Sequence, residues 1–359
     1  MVILGSTGSI GVNALNIARD FNLKVEALVA NNNIELLNRQ IKEFKPRFVA
    51  IGDASKKDLV EHKRVFIQED GILELLEASH SKKIVNALVG FAGLKPTLKA
   101  LELNKDLALA NKESLVIAGK FINTTKITPI DSEHFGLWYL LDGSKKANRL
   151  IITASGGAFR DWDIEKIKNA KLADALKHPN WSMGQKITID SASMVNKLFE
   201  LLEARWLFDT TNIDALIERN SIVHAMVEFI DGSTTAQLSG TDMKLPIAYA
   251  LLDKVTTPIL KPLNLLELNA IKFEEINPKR YPIWQIKEHL LQHPDMGVVL
   301  NAANEVAIDG FIKEEYGFFD MVELILKSYY YFDGITSSSL EDLFEIDQAV
   351  RAFCFSLRK

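Results

Sequence analysis

A glycine-rich loop directly after the first strand is the feature that most constrains the fold. The apolar run Val2–Leu4 is followed by GSTGSIG at positions 5–11 and then by an amphipathic segment at 12–21. Glycines let the main chain turn tightly between a strand and a helix, and the N–H groups at the start of the helix attract phosphate. Because Thr7 takes the second glycine position of G-x-G-x-x-G, a purely structural glycine turn remains the alternative to a nucleotide site.

Strand-like and helix-like segments alternate through the first third of the chain. Further strands are predicted at 24–29, 47–51, 84–89 and 107–110, with a helix at 34–44. This alternation is typical of a parallel sheet with helices on both faces, so we predict a Rossmann-like α/β domain. The complete predicted division is an N-terminal Rossmann-like parallel-sheet domain at 1–122, an α/β catalytic domain at 123–255, a proline-rich linker at 256–280 and a small C-terminal all-helical domain at 281–359.

The predicted catalytic domain has several recognisable local patterns. A strand is expected at 126–130, helices at 131–141 and 191–207, and a hairpin of strands at 223–229 and 234–238. The segment 177–187 contains proline, asparagine and glycine, which indicates a loop.

Charge balance and cysteine content exclude several classes of protein. The 359 residues carry 42 Lys and Arg against 47 Asp and Glu, so the formal net charge is 42 − 47 = −5. A mildly acidic chain is a poor candidate for general nucleic-acid binding, and no apolar run is long enough to span a membrane. A single cysteine, Cys354, supports neither an internal disulfide nor a cysteine-based zinc cluster. With no signal-peptide pattern at the N-terminus, we expect a cytoplasmic enzyme that binds neither nucleic acid nor membrane.

The end of the second predicted strand bears on the choice of nicotinamide cofactor. NAD enzymes usually place an acidic residue there to bind the ribose 2′-hydroxyl, but the sequence reads Ala30-Asn31-Asn32-Asn33. The missing carboxylate favours NADP. The segment also lacks an arginine or lysine that would bind the 2′-phosphate.

Carboxylates recur at two places where they could hold a hard divalent cation. Asp131 and Glu133 are two residues apart and would point to the same side of an extended segment, although a helix cap is the alternative. On a helix, Asn196, Lys197 and Glu200 share one face, and here the alternative is a solvated face with a surface salt bridge. Glu203, one turn further, is either a supporting residue or part of the surface.

Three other segments suit a phosphate ester. Ser155-Gly156-Gly157 follows a strand and can form an anion-binding nest of main-chain N–H groups. The loop that contains His178 and Trp181 could be a lid that covers a substrate, or a buried structural loop. Lys112 follows the strand at 107–110, at the sheet edge where ligands bind, although a surface lysine is the alternative.

Eight short segments, in this order, closely resemble the 1-deoxy-D-xylulose 5-phosphate reductoisomerase family of the non-mevalonate isoprenoid pathway. They are GSTGSIG at 5–11, ANKESLV at 110–116, DSEH at 131–134, SGGAF at 155–159, HPNWSMG at 178–184, DSASMVNK at 190–197, EARWLF at 203–208 and LNAANE at 300–305. The resemblance covers essentially the whole chain. It implies an NADPH- and divalent-metal-dependent oxidoreductase that rearranges and reduces this phosphorylated sugar to 2-C-methyl-D-erythritol 4-phosphate, and that forms a homodimer.

The resemblance also implies roles for individual residues. The implied cofactor contacts are Thr7, Gly8, Ser9, Ile10, Asn31, Asn32, Asn33, Asn111, Glu113, Gly184 and Met243. The implied ligands of Mg²⁺ or Mn²⁺ are Asp131, Glu133 and Glu200. The implied substrate contacts are Lys112, Ser132, Glu133, Ser155, His178, Ser191, Asn196, Lys197 and Glu200. Lys112, Glu133, His178 and Trp181 are expected to act in catalysis.

One segment departs from the family pattern. The family often carries Gly-Lys-Asn after the second strand, where this chain has Asn31-Asn32-Asn33. Without that lysine we expect looser discrimination in favour of NADPH rather than a switch to NADH.

Two other functions remain open from the residues alone. One is an NADP-dependent dehydrogenase of another phosphorylated or amino-acid-derived substrate, which would not isomerise it. The other is a non-catalytic nucleotide-sensing protein on the same fold. Both share the nucleotide domain, but neither needs the three carboxylates.

Overall fold

The computed structural model describes residues 1–141, 143, 146–268 and 270–358. These residues form two compact units, each assembled from separate stretches of chain. The first comprises Met1–Ser114, Asn123–Phe135 and Asp242–Lys261, and the second comprises Leu115–Ile122, Gly136–Thr241 and Pro262–Lys359. The division predicted from the sequence, with boundaries after residues 122, 255 and 280, stays a prediction. Five residues within its ranges lie outside the described residues, namely Asp142, Ser144, Lys145, Asn269 and Lys359.

The β-strands have three to eight residues, within the usual range for globular proteins. In chain order they are Val2–Leu4 (β1), Ala27–Ala30 (β2), Phe48–Ile51 (β3), Val65–Ile67 (β4), Lys83–Asn86 (β5), Asp106–Leu109 (β6), Ile127–Pro129 (β7), Ala147–Ala154 (β8), Ile213–Ile217 (β9), Val223–Phe229 (β10) and Thr234–Leu238 (β11).

The three longest α-helices among the described residues are the last three. In chain order the α-helices are Ser9–Asp20 (α1), Ile34–Phe44 (α2), Gln68–Ala78 (α3), Leu94–Glu102 (α4), Glu113–Ala118 (α5), Ser132–Leu140 (α6), Ile164–Ile167 (α7), Leu172–Ala175 (α8), Gln185–Ser193 (α9), Val195–Leu207 (α10), Lys244–Leu251 (α11), Lys287–Gln292 (α12), Met296–Ile312 (α13), Phe318–Tyr331 (α14) and Leu340–Leu357 (α15). No helix within the described part of the chain is long and apolar enough to cross a membrane.

The first unit contains a seven-stranded sheet in the order β4-β3-β2-β1-β5-β6-β7. All of its neighbouring strands pair in parallel, which confirms the predicted parallel-sheet α/β domain. The strand order runs in opposite directions from β1, so the carboxyl ends of β1 and β5 mark the switch point where ligands bind in such sheets. The segment GSTGSIG begins at this point.

The core of the first unit lies between the sheet and its helices. Ile3, Leu28 and Val49 from adjacent strands pack in one buried cluster with Leu15 of α1 and Leu37 of α2. Strands β1, β2 and β3 are buried along their full length, the pattern expected when helices cover both faces of a parallel sheet. This core fixes the positions from which the loops after the strands emerge.

The second unit contains a four-stranded sheet in the order β11-β10-β8-β9. The predicted hairpin is confirmed, since β10 and β11 pair antiparallel with the predicted bounds. The predicted helical C-terminal region is confirmed as well: α14 and α15 pack on α13, which is buried except along the stripe of Glu305, Asp309 and Ile312. Cys354 of α15 is buried there, with its Sγ 3.0 Å from Ser328 Oγ.

Several elements were not among those predicted from the sequence, including strands β4 and β9 and helices α3, α4 and α11. Strands β4 and β9 have three and five residues, which is too short to show a clear alternation. Helix α11 carries Pro246 near its start, a residue that the pattern treats as a helix stop but that the first turn tolerates.

The helix predicted at 191–207 is wrong in one respect, because two helices occupy this region. Met194 has φ 72° and ψ 5°, a left-handed conformation that ends α9 and precedes α10. Ser193 Oγ accepts a hydrogen bond from Val195 N at 3.3 Å across this break. Helix α9 also begins at Gln185, so the predicted loop is shorter at its C-terminal end.

Candidate active site

The glycine loop lies at the carboxyl end of β1 and leads into α1. Gly5 has φ +83°, and its N–H donates to Val29 O at 2.9 Å, so the chain turns sharply away from β1. A Cβ at Gly11 would stand 2.2 Å from Gly5 O, so a side chain there would prevent α1 from starting this close to the turn. Gly8 and Ser9 are exposed, and Gly8 N donates to Gly5 O at 3.0 Å, whereas the first N–H groups of α1, which begins at Ser9, have no intrahelical acceptor. These N–H groups suit a phosphate.

The three asparagines follow β2 at the same edge of the sheet. Asn31, Asn32 and Asn33 are all exposed. Asn33 also caps α2, because its side chain accepts from Leu36 N at 3.2 Å. Cofactor contacts of this segment and of Thr7, Gly8, Ser9 and Ile10 stay predictions.

The turn after β6 is held in place by Asn111. Its Nδ2 donates to Leu88 O and Gly90 O, each at 2.9 Å, and its Oδ1 accepts from Ser114. Glu113 accepts from Gly90 N at 3.3 Å. Asn111 and Glu113 are buried and connect the loops after β5 and β6, so their predicted cofactor contacts would have to coexist with these bonds.

Lys112 is not a surface lysine. It is 5% exposed, and its Nζ donates to Asp131. His134, which is fully buried, lies with Nδ1 3.2 Å from the other oxygen of the same carboxylate. Burial by itself would raise the pKa of Asp131, but Lys112 and His134 hold that pKa well below its usual range. Asp131 therefore carries its negative charge in a nearly dehydrated position.

The second carboxylate of this segment lies in a helix. Because α6 begins at Ser132, Glu133 is helical and not extended, but its carboxylate still lies within 4.8 Å of that of Asp131, so the predicted approach of the two carboxylates is confirmed. Asp131 Oδ1 also accepts from Glu133 N at 3.3 Å, the contact of a helix cap. Ser132 Oγ donates to Glu133 Oε2 at 2.5 Å. The cap interpretation is thus correct, and it leaves the metal-binding role of both carboxylates as a prediction.

The polar face of α10 is buried. Glu200 accepts from Asn196 and from Lys197, as the helical spacing predicts. Glu200 is 1% exposed and Lys197 is 4% exposed, so the alternative of a solvated face is wrong. Glu203, on the next turn, is 1% exposed and is not a surface residue.

The glycines after β8, where the sequence predicts a nest, form a tight turn, and anion binding by this nest stays a prediction. Gly156 and Gly157 have φ +90° and +68°, and Gly157 N donates to Ser155 Oγ at 3.1 Å. A Cβ at Gly157 would stand 2.5 Å from Ser191 O, so glycine is needed where this turn meets α9. Ser155, Gly157 and Ser191 are therefore adjacent in the second unit.

His178 connects this nest to the loop that follows it. Its Nδ1 accepts from Asn180 N at 3.2 Å and from Trp181 N at 2.9 Å, while its Nε2 lies 2.9 Å from Ser155 Oγ. Because Nδ1 is an acceptor for two main-chain N–H groups, we assign the ring proton to Nε2, which then donates to Ser155.

The electrostatic environment keeps this imidazole neutral. Burial, together with the charges of Arg160 and Lys197, lowers the pKa of His178 to about 4. Near neutral pH the ring therefore donates one hydrogen bond without carrying a charge. The two cations that lower its pKa would themselves favour a bound anion.

The rest of the predicted lid is attached to the sheet through a few contacts. Asn180 Nδ2 donates to Arg219 O and to Ser221 Oγ, each at 2.7 Å. The rings of Trp181 and His224 have centroids 6.1 Å apart in an edge-on arrangement. The remainder, from 182 to 184, has no regular structure and is largely exposed.

Two predicted cofactor residues lie at helix starts. Gly184 precedes α9 in the second unit, and its surroundings leave room for a Cβ. Met243 precedes α11 and packs, half-buried, against the core of the first unit. Their contacts with the cofactor stay predictions.

Sequence reasoning missed several residues that shape these sites. His134 lies beside Asp131, and Arg160 donates from Nη1 to Ser155 O at 2.9 Å and to Arg219 O at 2.6 Å. For His134 a signal existed, since it ends the quoted segment DSEH. Arg160 follows SGGAF by one residue, but nothing in its spacing indicates that it turns back to the nest.

Comparison with known proteins places the chain in a family. Models of 1-deoxy-D-xylulose 5-phosphate reductoisomerase match residues 1–119, and models of its C-terminal domains match 127–208 and 238–353. The chain is 59% identical to the 1-deoxy-D-xylulose 5-phosphate reductoisomerase of Nautilia profundicola and 55% identical to that of Campylobacter hominis, with 99% of each chain covered in both comparisons.

Solved structures agree with this result. A DOX-P reductoisomerase in complex with NADPH, fosmidomycin and magnesium has a TM-score of 0.90 at 33% identity, over 99% of this chain and 97% of the other. The Zymomonas mobilis 1-deoxy-D-xylulose 5-phosphate reductoisomerase in complex with NADPH has a TM-score of 0.89 at 33% identity, over 100% and 98%. The chain belongs to the 1-deoxy-D-xylulose 5-phosphate reductoisomerase family.

Proposed function

We propose that this protein converts 1-deoxy-D-xylulose 5-phosphate to 2-C-methyl-D-erythritol 4-phosphate, with NADPH as the hydride donor and a divalent metal ion as cofactor. The carbon skeleton first rearranges to a branched aldehyde phosphate, by fragmentation and re-addition or by a direct shift. Hydride from NADPH and a proton then reduce the aldehyde to the alcohol, which leaves NADP⁺. Family membership and the relatives named above support this assignment.

The buried carboxylate of Glu200 is the observation that carries the proposal. Transfer of a carboxylate out of water is costly unless the charge is compensated. Glu200 is 1% exposed and is held by Asn196 and Lys197 on one face of α10. A dehydrogenase that only transfers hydride does not need such a charge, whereas a metal-dependent rearrangement does.

NADPH fits the loop after β1. A Cβ at Gly5 would stand 2.5 Å from Ala87 O, and one at Gly11 would stand 2.2 Å from Gly5 O, so both glycines keep this turn compact. We infer that the turn at Thr7–Ile10 binds the pyrophosphate through the first N–H groups of α1, since Gly8 N already donates to Gly5 O at 3.0 Å. The predicted cofactor roles of the other residues, including Asn111, Glu113, Gly184 and Met243, form part of this proposal.

We assign the divalent cation, Mg²⁺ or Mn²⁺, to Asp131, Glu133 and Glu200. The donor set fits, because all three supply carboxylate oxygens, the ligands that these hard cations prefer. In the first unit, Asp131 is held in its ionised form beside Lys112. When bound, the cation supplies a Lewis acid that polarises the ketone of the substrate.

The chain's own residues orient the substrate and exclude water. Lys112 brings an ammonium to stabilise negative charge that develops on a substrate oxygen, and Ser132 and Glu133 hold the hydroxyketone. Trp181 covers the bound sugar. The phosphate is assigned to Ser155, His178, Ser191, Asn196 and Lys197.

The phosphate contacts carry an additional function. They lie on a part of the substrate that does not react, so their binding energy can hold the loop with Trp181 closed over the sugar. His178 contributes as a neutral donor through Nε2, because burial and nearby cations lower its pKa to about 4.

The direct experiment is to follow NADPH oxidation with 1-deoxy-D-xylulose 5-phosphate, with and without added Mn²⁺, and to identify the product. We expect metal-dependent oxidation and formation of the branched polyol phosphate. Oxidation that persists in EDTA would favour a dehydrogenase without isomerisation. No oxidation with metal present would contradict the proposal and would favour a nucleotide-sensing protein.

Two further assignments accompany this function. We propose a homodimer, supported by the family resemblance and by the exposed edge strand β11 with Ile230 exposed beside it. The mass in solution, measured by light scattering, tests this assignment. The cytoplasmic location expected from the sequence stays a proposal.

A further inference from the structure

The loop after β2 is bound to the turn after β3. Parallel pairing sets Ala30 opposite Ile51, and beyond it Gly52 N donates to Ala30 O at 2.9 Å and Asp53 N to Asn31 O at 3.1 Å. A Cβ at Gly52 would stand 2.3 Å from Asn31 Oδ1, so the asparagine side chain lies directly on the glycine. The main chain after β3 is therefore part of the wall around the three asparagines.

A lysine returns from this turn to the asparagines. Asp53 accepts from Ser55 N at 3.1 Å and from Ser55 Oγ at 2.6 Å, which starts a 3-10 helix at Ala54–Leu59. This helix directs Lys56 backward, so that its Nζ donates to Asn32 O at 3.1 Å. The ammonium thus lies at the carboxyl edge of the sheet, 24 residues further along the chain than the segment that it contacts.

The surroundings of Lys56 leave it able to bind an anion. An ammonium has three N–H donors, of which Asn32 O uses one. Asp53 Oδ2 lies 3.8 Å from Nζ, at the outer limit of an ion pair. The lysine side chain is 38% exposed, so a ligand at Asn31–Asn33 can reach it.

We propose that Lys56 is the specificity residue that binds the 2′-phosphate of NADPH in this chain. The inference rests on the proposed use of NADPH. In nucleotide-binding sheets of this type, the ribose of the adenosine lies at the end of the second strand, which is where Lys56 contacts Asn32. A lysine makes a charge-assisted hydrogen bond with a phosphate dianion. Its hydrogen bond with the neutral 2′-hydroxyl of NADH is weaker, so the lysine favours NADPH.

This inference changes the expectation drawn from the sequence. The segment Ala30-Asn31-Asn32-Asn33 has no cation, which predicts loose discrimination between the two cofactors. Lys56 supplies the cation from the next strand–helix connection, so we expect a clear preference for NADPH.

Cofactor binding without substrate tests the role of Lys56. Dissociation constants for NADPH and NADH are measured by fluorescence titration of the wild type, Lys56→Met, Lys56→Arg and Lys57→Met. Lys57 is the matched control, because it is the adjacent, exposed lysine of the same turn. We expect Lys56→Met to weaken NADPH binding by roughly 10- to 100-fold and to change NADH binding by less than about 2-fold, while Lys56→Arg retains most of the preference.

Each outcome decides the assignment. An unchanged ratio of the two dissociation constants in Lys56→Met, or an equal loss in Lys57→Met, would overturn it. An equal loss of both cofactors in Lys56→Met would also overturn it, because that result describes a structural role. The proposed function is tested separately by turnover of the wild type: if the wild type turns over with NADPH while the ratio does not respond to Lys56, only this inference fails.

Discussion

The loop after β1 and the polar face of α10, the two proposed binding sites, present their polar groups in different ways. The loop presents main-chain N–H groups at an exposed turn, and its glycines serve to keep side chains out. The face of α10 presents Glu200 and Lys197, which are charged side chains held in a buried position. A main-chain site depends on the shape of the backbone, whereas a buried side-chain site depends on a balance of charges. Substitutions should therefore affect the two sites differently.

The largest effect is expected from Glu200→Gln, which keeps the size of the side chain and removes its charge. We expect metal-dependent kcat/KM to fall by about 1,000-fold, since the polarisation supplied by a bound cation is worth several kcal/mol. The dissociation constant for NADPH should stay within about 2-fold of the wild-type value, because the loop proposed to bind NADPH follows β1 and does not include Glu200. Steady-state kinetics at several Mn²⁺ concentrations and a separate NADPH titration measure the two quantities.

An exposed ion pair provides the control for Glu200→Gln. Glu323 pairs with Lys327 at 2.7 Å on α14, and both side chains are more than half exposed. Glu323→Gln should behave as the wild type, because exposed pairs contribute little. Full activity in Glu200→Gln would remove Glu200 from the proposed metal site.

Gly11→Ala tests the main-chain site, and its effect should be the second largest. The added Cβ would stand 2.2 Å from Gly5 O, so the turn or the start of α1 must move. We expect the free energy of unfolding to fall by about 1–3 kcal/mol and NADPH to bind roughly 10-fold more weakly. Thermal denaturation and NADPH titration are the measurements. Gly143→Ala, at a position with open space around it, is the control. Unchanged NADPH affinity in Gly11→Ala would argue against a compact phosphate loop.

Acid stability should respond to His178. Its pKa is lowered to about 4, while an unfolded histidine titrates near 6.5, so between these values the unfolded chain binds more protons and stability rises with pH. Acidification through this window should cost the wild type up to about 3 kcal/mol, and this loss should be smaller in His178→Gln. Urea denaturation at pH 6.5 and pH 4.5 measures the difference. His80→Gln, at an exposed position, should retain the wild-type dependence. If the free energy of unfolding fell by the same amount between pH 6.5 and pH 4.5 in the wild type and in His178→Gln, the neutral state assigned to His178 would be contradicted.

The smallest effect is expected from Asn180→Ala. Its Nδ2 bonds to Arg219 O and Ser221 Oγ hold the start of the loop, and each bond contributes on the order of 1 kcal/mol. We expect KM for the substrate to rise by about 5-fold with little change in NADPH affinity. Asn264→Ala, which removes a hydrogen bond in an exposed turn, is the control. An equal change in both variants would show that the loop anchor has no part in substrate binding.

Elements whose structure is determined by neighbouring residues could be predicted from the sequence. The helix predicted at 34–44 has the observed bounds of α2, and the hairpin of β10 and β11 was predicted with its observed bounds. The glycine loop was also located correctly, because the positions of its glycines follow from a strand–turn–helix connection. In each case the determining residues are neighbours in the sequence.

Features that depend on distant parts of the chain could not be predicted in the same way. Helical spacing indicates that Asn196, Lys197 and Glu200 meet, but not that the rest of the unit covers them. The break at Met194 has no glycine or proline to indicate it. Lys56 approaches Asn32 only because β3 pairs with β2.

The burial of Cys354 provides the protein with a built-in reporter of local opening. It is the single cysteine of the chain, it is fully buried beside Ser328, and burial raises the pKa of its thiol. A thiol reagent can therefore reach it only when α15 separates from α13 and α14, and its labelling rate measures the free energy of that separation. With Cys354 replaced by alanine, a cysteine introduced at any other position would be a unique site for a spectroscopic label.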